Sequence, residues 1–338
     1  MLPTVGGEPC VELPFDLGGA RGGGGEALDV AAPLQVARLL EQLQVGAFAP
    51  PLLLIQTTAT QPGEHGAAFV ATGAADARCC IPARSPANCA AMDDLSQAGL
   101  FVVLGATGAV GSRLAQRLHA RGARLVLLAR DAERLAAVAE PLGAATALLP
   151  ALDPASVRAV LSAACAGQPA AGIAHCVGSL LLKPAARTTA AEWHEVLETN
   201  LSSAFGVTMA AQELLPNGGS IVFCSSVAAG LGLANHEAIA AAKAGLIGLA
   251  RATAATHVRR GIRCHCVAPA LVDSRMTAGL LERAGMREAA AKQNPSGRIG
   301  TSDDVARAIE FLLDPANDWI DGQVLGVDGG FGVLRGLA

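Results

Sequence analysis

The chain has 338 residues, of which 51% are hydrophobic and 16% charged, and its mean hydropathy is +0.41. This excludes a disordered chain and leaves enough apolar material for one large core or two smaller ones. A net charge of −4 and a pI of about 6.0 exclude a whole-protein basic field for nucleic acid, and no run of eighteen purely apolar residues marks a membrane span.

Residues 1–95 carry four Arg, no Lys and ten acidic residues, a net −6, so residues 96–338 carry +2. The start, MLPTVGGEPCVELPFDLGG, lacks the basic opening and apolar stretch of a secretory signal, and Glu8, Glu12 and Asp16 argue against a transit peptide. GGARGGGGE (18–26) has a flexible linker composition. PLQVARLLEQLQVG (33–46) predicts a short amphipathic helix between Pro33 and Gly46, with Val36, Leu39, Leu40 and Leu43 on one face. PLLLIQTT (51–58) and AAFVAT (67–72) read as strands, with QPGEHG as a turn between them. No chemistry is evident in this stretch. Residues 1–95 are therefore taken as an N-terminal extension: a docking segment, a degenerate partial domain or an artefact of the gene model. The nine cysteines are an odd number without a paired framework. Cys176, Cys224, Cys264 and Cys266 sit in apolar runs, as small buried hydrophobes do. A reducing compartment is expected: the cytoplasm, or an organelle interior if the extension is a divergent targeting segment.

From about Gly99 apolar runs alternate with helical stretches: LFVVLGA, ARLVLLAR, AGIAHCVG, GSIVFCSSV, GIRCHCVAP and QVLGVDGG are each set off by a helix-like segment. Continuous apolar strands alternating with helices predict an α/β fold, a doubly wound parallel sheet of Rossmann type forming one domain over 96–338. The first strand ends in Gly105-Ala-Thr107-Gly108-Ala-Val110-Gly111 and leads straight into a helix. Glycines there permit a tight turn, close backbone approach to a diphosphate and close helix–strand packing, and the helix N-terminus favours anions. The second strand ends in Ala129-Arg130, where an NAD enzyme usually carries a carboxylate. A guanidinium at this point suits a 2′-phosphate, so NADP is expected over NAD. The competing reading is a solvated Arg130 followed by a helix-capping Asp131.

These motifs, in their order, resemble the short-chain dehydrogenase/reductase family from about residue 99 to 333. The resemblance rests on the glycine loop, Gly178 in HCVG, Asn200 in LETNLSSAF, Ser225-Ser226 in GGSIVFCSSV and Lys243 in AAAKAGLIGLAR. It continues through Pro269 in VAPALVDSRM, GRIGTSDDVARAIEFLL and the ending GQVLGVDGG. It implies that Asn200 helps organise a proton-relay water, that Ser226 hydrogen-bonds the substrate carbonyl, and that Lys243 binds the nicotinamide ribose and lowers a phenol pKa. Val272 and Ser274 match the segment that usually holds the nicotinamide carboxamide. The helices around 190–215 and 236–257 correspond to those that usually pack on a second subunit, which implies a homodimer or homotetramer.

The sequence departs from that pattern at its centre. The tyrosine position four residues before Lys243 is Ile239, and the chain contains no tyrosine. His236 lies seven residues before Lys243, and both spacings are near whole turns, so His236, Ile239 and Lys243 should share a helix face. Some enoyl reductases resembling this family place their tyrosine in that register. His236 is the candidate acid, against the plainer reading of a solvated or capping histidine, and Glu237 should point elsewhere. The usual Asn pair before Ala-Gly is replaced by His175-Cys176-Val177, Pro150 stands where an acid near the adenine is usual, Asp153 should cap the next helix, and Ala270 replaces the glycine after Pro269. Cys264-His265-Cys266 invites a metal reading, but strand alternation sends His265 to the face opposite both cysteines and no fourth ligand has suitable spacing, so no metal is expected. The expected function is NADP-dependent hydride transfer on a small carbonyl, alcohol or activated double bond; the alternative is a silent NADP-binding scaffold or sensor. Residues 275–297 should cover the substrate, and they contain no aromatic residue.

Overall fold

The structure, a computed structural model, describes strands at 4–5, 8–12, 69–72 and 76–82 and the continuous stretch 94–334. The chain divides into two compact units, Met1–Cys89 and Ala90–Ala338. In the first unit β1 (Thr4–Val5), β2 (Glu8–Glu12), β3 (Phe69–Thr72) and β4 (Asp76–Pro82) form an antiparallel sheet in the order β1-β2-β4-β3. The expected strand at 67–72 coincides with β3. The linker at 18–26, the helix at 33–46, the strand at 51–58 and the turn between the strands lie outside the described residues.

The second unit alternates strand and helix. It runs β5 (Leu100–Leu104), α1 (Ala109–Ala120), β6 (Arg124–Ala129), α2 (Ala132–Ala139), β7 (Ala145–Leu148), α3 (Pro154–Cys165) and β8 (Ala170–His175). Then come α4 (Ala190–Leu197), α5 (Ser203–Leu214), β9 (Gly219–Cys224), α6 (Glu237–His257) and β10 (Ile262–Pro269). The chain closes with α7 (Arg275–Leu281), α8 (Met286–Gln293), α9 (Ser302–Leu313) and β11 (Val324–Val327). The seven strands β5–β11 form one parallel sheet in the order β11-β10-β9-β8-β5-β6-β7. This is the doubly wound, Rossmann-like sheet expected from the sequence. The strand order reverses at β5 and β8, which opens a crevice beyond their carboxyl ends.

The central strands are buried and largely apolar because both their faces are covered. β5 and β10 are buried at every residue. Alternate residues feed two cores. Val102, Leu104, Ile173, Ile221 and Phe223 pack with α3, α5 and α6 on one face. Phe101, Val103 and Leu127 pack with Leu114 and Leu118 of α1 and Val305 and Ile309 of α9 on the other. Each fully buried side chain of this size contributes about 1.5–3 kcal/mol. A half-buried ion network also ties α1 to α9: Arg121 meets Asp314 at 2.7 Å and Arg113 meets Asp303 at 2.6 Å. β7 is the exception, a short Ala-rich edge strand with Leu148 exposed.

Helix starts follow the side chains available. Asp153 accepts from the Ser156 N–H at 3.0 Å and caps as expected, and Asp131 accepts from the Arg134 backbone N–H at 3.0 Å, the cap that the competing reading of Arg130 assigned to it. Thr189 with Glu192 and Thr301 with Asp304 form capping boxes. Among the described residues α6 is long and apolar enough to cross a bilayer, but its Ala242, Leu246, Ala250 and Ala254 are buried, which is the behaviour of a core helix.

Candidate active site

The glycine loop forms the floor of the crevice. Gly105 has φ +77°, and a Cβ there would lie 2.7 Å from the Cys176 carbonyl oxygen. A Cβ on Gly111 would overlap the Gly105 carbonyl oxygen. Any other residue at these points would push α1 away from β5 and β8. Gly108 begins α1 with no side-chain cap, so the first-turn N–H groups are left for a ligand. A cavity of about 890 Å³ opens above this loop. Gly105, Thr107, Gly108, Val110 and the exposed Arg130 line the end of it nearest the glycine loop. Gly178, Ser226, His236, Lys243, Pro269, Val272 and Ser274 line the rest. Gly111 does not, since its part is packing.

At the far end the segments after β8 and β9 meet α6 around Lys243 and Ser226. Lys243 is 8% exposed and its Nζ donates to the Cys224 carbonyl at 2.7 Å. Burial pulls the ammonium below its ordinary pKa. Burial also pushes up the neighbouring thiols, Cys266 to about 12 and Cys176 further, so they stay uncharged and supply no counter-anion. Gly178 makes the approach possible: a Cβ there would sit 3.0 Å from Asn200 Oδ1 and 3.4 Å from Lys243 Nζ. Ser226 lines the cavity and its Oγ accepts from the Ala228 N–H at 3.1 Å, keeping its hydroxyl proton free to donate.

Asn200 sits behind the cavity wall. It is fully buried in a π-helical turn, Glu198–Ser202, between α4 and α5. Its Nδ2 donates to Ser179 Oγ and to the Val196 carbonyl, each at 3.0 Å, and its Oδ1 accepts from the Ser179 N–H at 3.2 Å. Asn200 therefore acts on the cavity through Ser179, which does line it. Behind the turn, His175 Nε2 meets Ser203 Oγ at 2.8 Å, and Ser203 Oγ donates to the Thr199 carbonyl at 2.7 Å. That fixes Nε2 as the protonated nitrogen. Burial and the charge on Lys243 hold the His175 pKa down at about 3, so the ring is neutral.

Ile239 and Lys243 of α6 and His236 at its N-cap all line the cavity. Ile239 is 3% exposed, packed with Val196, Ala238 and Ala242. His236 precedes the first turn of α6, and its Nδ1 donates to the Ala234 carbonyl at 2.7 Å. That bond leaves Nε2 as the working nitrogen. Glu237 points away and accepts from the Ala185 N–H at 3.3 Å. An outer hollow of about 530 Å³ shares His236, Leu180, Leu182, Met276 and Leu280 with the main cavity, so His236 stands where the two join.

A family profile described as enoyl-(acyl carrier protein) reductase matches residues 105–332. The chain belongs to the short-chain dehydrogenase/reductase family. It is 34% identical over 244 residues to the 3-oxoacyl-(acyl-carrier-protein) reductase FabG of Escherichia coli (strain K12), covering 68% of this chain and 96% of FabG. It is 32% identical to the galactitol 2-dehydrogenase (L-tagatose-forming) of Cereibacter sphaeroides, covering 68% of this chain and 94% of that one. Among solved structures, an actinorhodin polyketide ketoreductase crystallised with NADPH superposes with a TM-score of 0.66 at 25% identity, covering 71% of this chain and all of that one.

Within the short-chain dehydrogenase/reductase frame several residues were invisible to sequence reasoning. Arg134 and Arg275 both reach the Thr107 carbonyl, at 3.3 and 2.6 Å, across 27 and 168 residues of chain. Phe331, beyond the last strand, supplies an aromatic cavity wall that the covering segment 275–297 lacks. His175 and Ser203 form a strut that only the fold assembles. Cys264, His265 and Cys266 are all buried in β10, and both His265 ring nitrogens lack a partner among the described residues.

Proposed function

We propose that this chain is an NADP-dependent reductase or dehydrogenase of a small carbonyl, alcohol or activated double bond, in which His236 takes the proton-handling role the family gives to tyrosine. The observation that carries the reading is Lys243, a buried ammonium that has no carboxylate partner among the described residues and lines the same cavity as the glycine loop. Such a group calls for a ligand rich in hydroxyl and phosphate oxygen. The cradle fits a dinucleotide: Gly105 and Gly111 leave no room for a Cβ, and Arg130 lines the end where a 2′-phosphate would lie. Val272 and Ser274 would hold the carboxamide end. The bound nicotinamide would supply or accept hydride. Ser226 would donate to the substrate oxygen, and Lys243 would anchor the ribose and make the local potential positive, favouring the anion that develops there. Asn200 would steady the wall through Ser179. His236, with Nδ1 tied down, would present Nε2 as the acid for reduction and the base for oxidation.

The outer hollow beside His236 carries Leu180, Leu182 and Met276, so the substrate is an apolar rather than a sugar-like molecule. Trp193, Phe205 and Met209 are exposed on α4 and α5, and a homodimer or homotetramer formed through these helices would cover them. The test separates binding from turnover. The protein is mixed with NADPH and a panel of small ketones and activated alkenes, with nucleotide binding followed by calorimetry and oxidation by absorbance. Binding with oxidation is expected; tight NADPH binding with no oxidation on any compound would move the assignment to a silent nucleotide sensor.

A further inference from the structure

Among the described residues the main cavity and the outer hollow are lined by five Lys or Arg side chains and one acid. The acid is Asp131, whose carboxylate caps α2. Four of the cations belong to the main cavity: Arg130, Arg134 and Arg275 near the glycine loop, and Lys243 beside Ser226. A nucleotide gives those four an anionic or hydroxyl partner. The fifth, Arg283, lines the outer hollow and not the main cavity. Among the described residues it meets no carboxylate, and Asp273 of the same segment is taken by Arg287 at 2.7 Å.

α7 builds one wall of the hollow. Met276, Gly279 and Leu280 share a helix face, and Arg283 follows at the same spacing, one residue past the Glu282 cap. Met276 and Arg283 are seven residues apart, a run of roughly 10 Å at the helical rise. A Cβ on Gly279 would meet nothing within 4 Å, so a larger residue there would take up space in the hollow. Leu180 and Leu182 complete the apolar lining, and they continue into the main cavity with Met276, Leu280 and His236. Asn235 lines the hollow too, in the left-handed region at φ +63°, which asparagine tolerates. Its carbonyl accepts from the Lys183 N–H at 2.8 Å, and its amide is a second donor beside the guanidinium.

We infer that Arg283 binds a carboxylate on the substrate, and that the substrate is an apolar-stemmed keto acid or the matching hydroxy acid. Resting on the function proposed above, this names the substrate class on which that function acts. The reacting carbon lies by Ser226 and His236, the stem runs along Leu180, Leu182, Met276 and Leu280, and the acid ends on Arg283. A guanidinium without an acid of its own receives a carboxylate through two parallel N–H···O bonds. The excess of cations along the walls draws an anion inward. A 2-keto acid, whose carboxylate adjoins its carbonyl, is too short to reach both ends.

The experiment compares 7-oxooctanoate, its methyl ester and pyruvate on native protein, Arg283→Met and Arg283→Lys. Binding to the NADP-loaded protein is followed by calorimetry, and turnover with NADPH by absorbance. Native protein should bind and reduce the long acid better than its ester by roughly 10-fold, the worth of one charge-assisted contact, and should handle pyruvate poorly. Arg283→Met should erase the difference between acid and ester through KM rather than kcat, and Arg283→Lys should fall between. The preference in native protein should shrink as salt is added. NADPH affinity should match native in both variants, which shows that they are folded. If native protein binds acid and ester equally, or binds neither, or if Arg283→Met keeps the preference, the carboxylate site is wrong and the cofactor assignment stands. If the acid binds through Arg283 but none of the compounds is reduced, the carboxylate site stands and the reductase reading falls.

Discussion

Ile239 packs its branched side chain against Val196, Ala238 and Ala242 while also facing the cavity, so the place of the missing phenol is filled partly by protein and partly by cavity. No hydroxyl from tyrosine exists elsewhere in the chain, and besides the Lys243 ammonium the proton-carrying side chain lining this part of the cavity is the imidazole of His236. Removing it with His236→Gln is expected to lower turnover by roughly 10²- to 10⁴-fold, the usual worth of a positioned acid or base. NADPH affinity should stay unchanged, since His236 lies at the outer end of the cavity. Adding Ile239→Tyr to that variant should restore much of the lost rate, because the phenol would then stand one turn before Lys243, whose ammonium lowers its pKa. Steady-state kinetics beside calorimetry reads both. A His236→Gln enzyme as fast as native would remove the imidazole from the mechanism. Much of this site was legible beforehand because Asn200, Ser226 and Lys243 arrive in a fixed order. Arg134 and Arg275 were not, since their shared carbonyl joins positions 27 and 168 residues apart and no local pattern marks a surface arginine as converging on another.

Elements were read from the sequence according to how strongly burial wrote them. β5, β6, β8, β9 and β10 are mostly apolar and almost wholly buried because helices cover both faces, and each overlaps an apolar run visible in the sequence. β7, a four-residue edge strand that is mostly exposed, leaves no such trace. The π-turn at Glu198–Ser202 is hidden for another reason. Leu-Glu-Thr-Asn-Leu-Ser-Ser has ordinary helical composition, and the extra residue shows only in which carbonyl each N–H finds. The strut from His175 through Ser203 to the Thr199 carbonyl holds that turn open where Asn200 needs it. Ser203→Ala cuts the strut and strands the buried His175 Nε2–H, at a cost of about 1–3 kcal/mol in stability. If the strut positions Asn200, kcat should drop several-fold while NADPH affinity holds. A purely structural serine would leave kcat and KM as they are, with only the denaturant midpoint shifted.

At the scale of the whole molecule the buried histidines set how stability responds to pH. His175 and His265 are both fully buried in the fold, and burial depresses their pKa values to about 3 and about 4. In the unfolded chain each imidazole titrates near its ordinary 6.5. Between those limits the unfolded state binds protons that the native state refuses, so stability is full above about pH 6.5 and falls as the pH drops. Each histidine contributes a slope of up to about 1.4 kcal/mol per pH unit. Carboxylates act lower down: the Lys183 ammonium at 2.7 Å holds Glu192 at about 2, so its contribution is lost only below its ordinary 4.5. The window from pH 6.5 to 4.5 therefore belongs to the two imidazoles. His265→Leu, which fills a similar volume in β10 and removes one of them, should halve the slope there while leaving the π-turn intact. Urea midpoints at pH 7, 6, 5 and 4.5 measure it, and they avoid the precipitation that heating invites near a pI of about 6.0. An unchanged slope in His265→Leu would mean that His265 already gains its proton within the folded strand, through water or strand opening at the β10–β9 pairing.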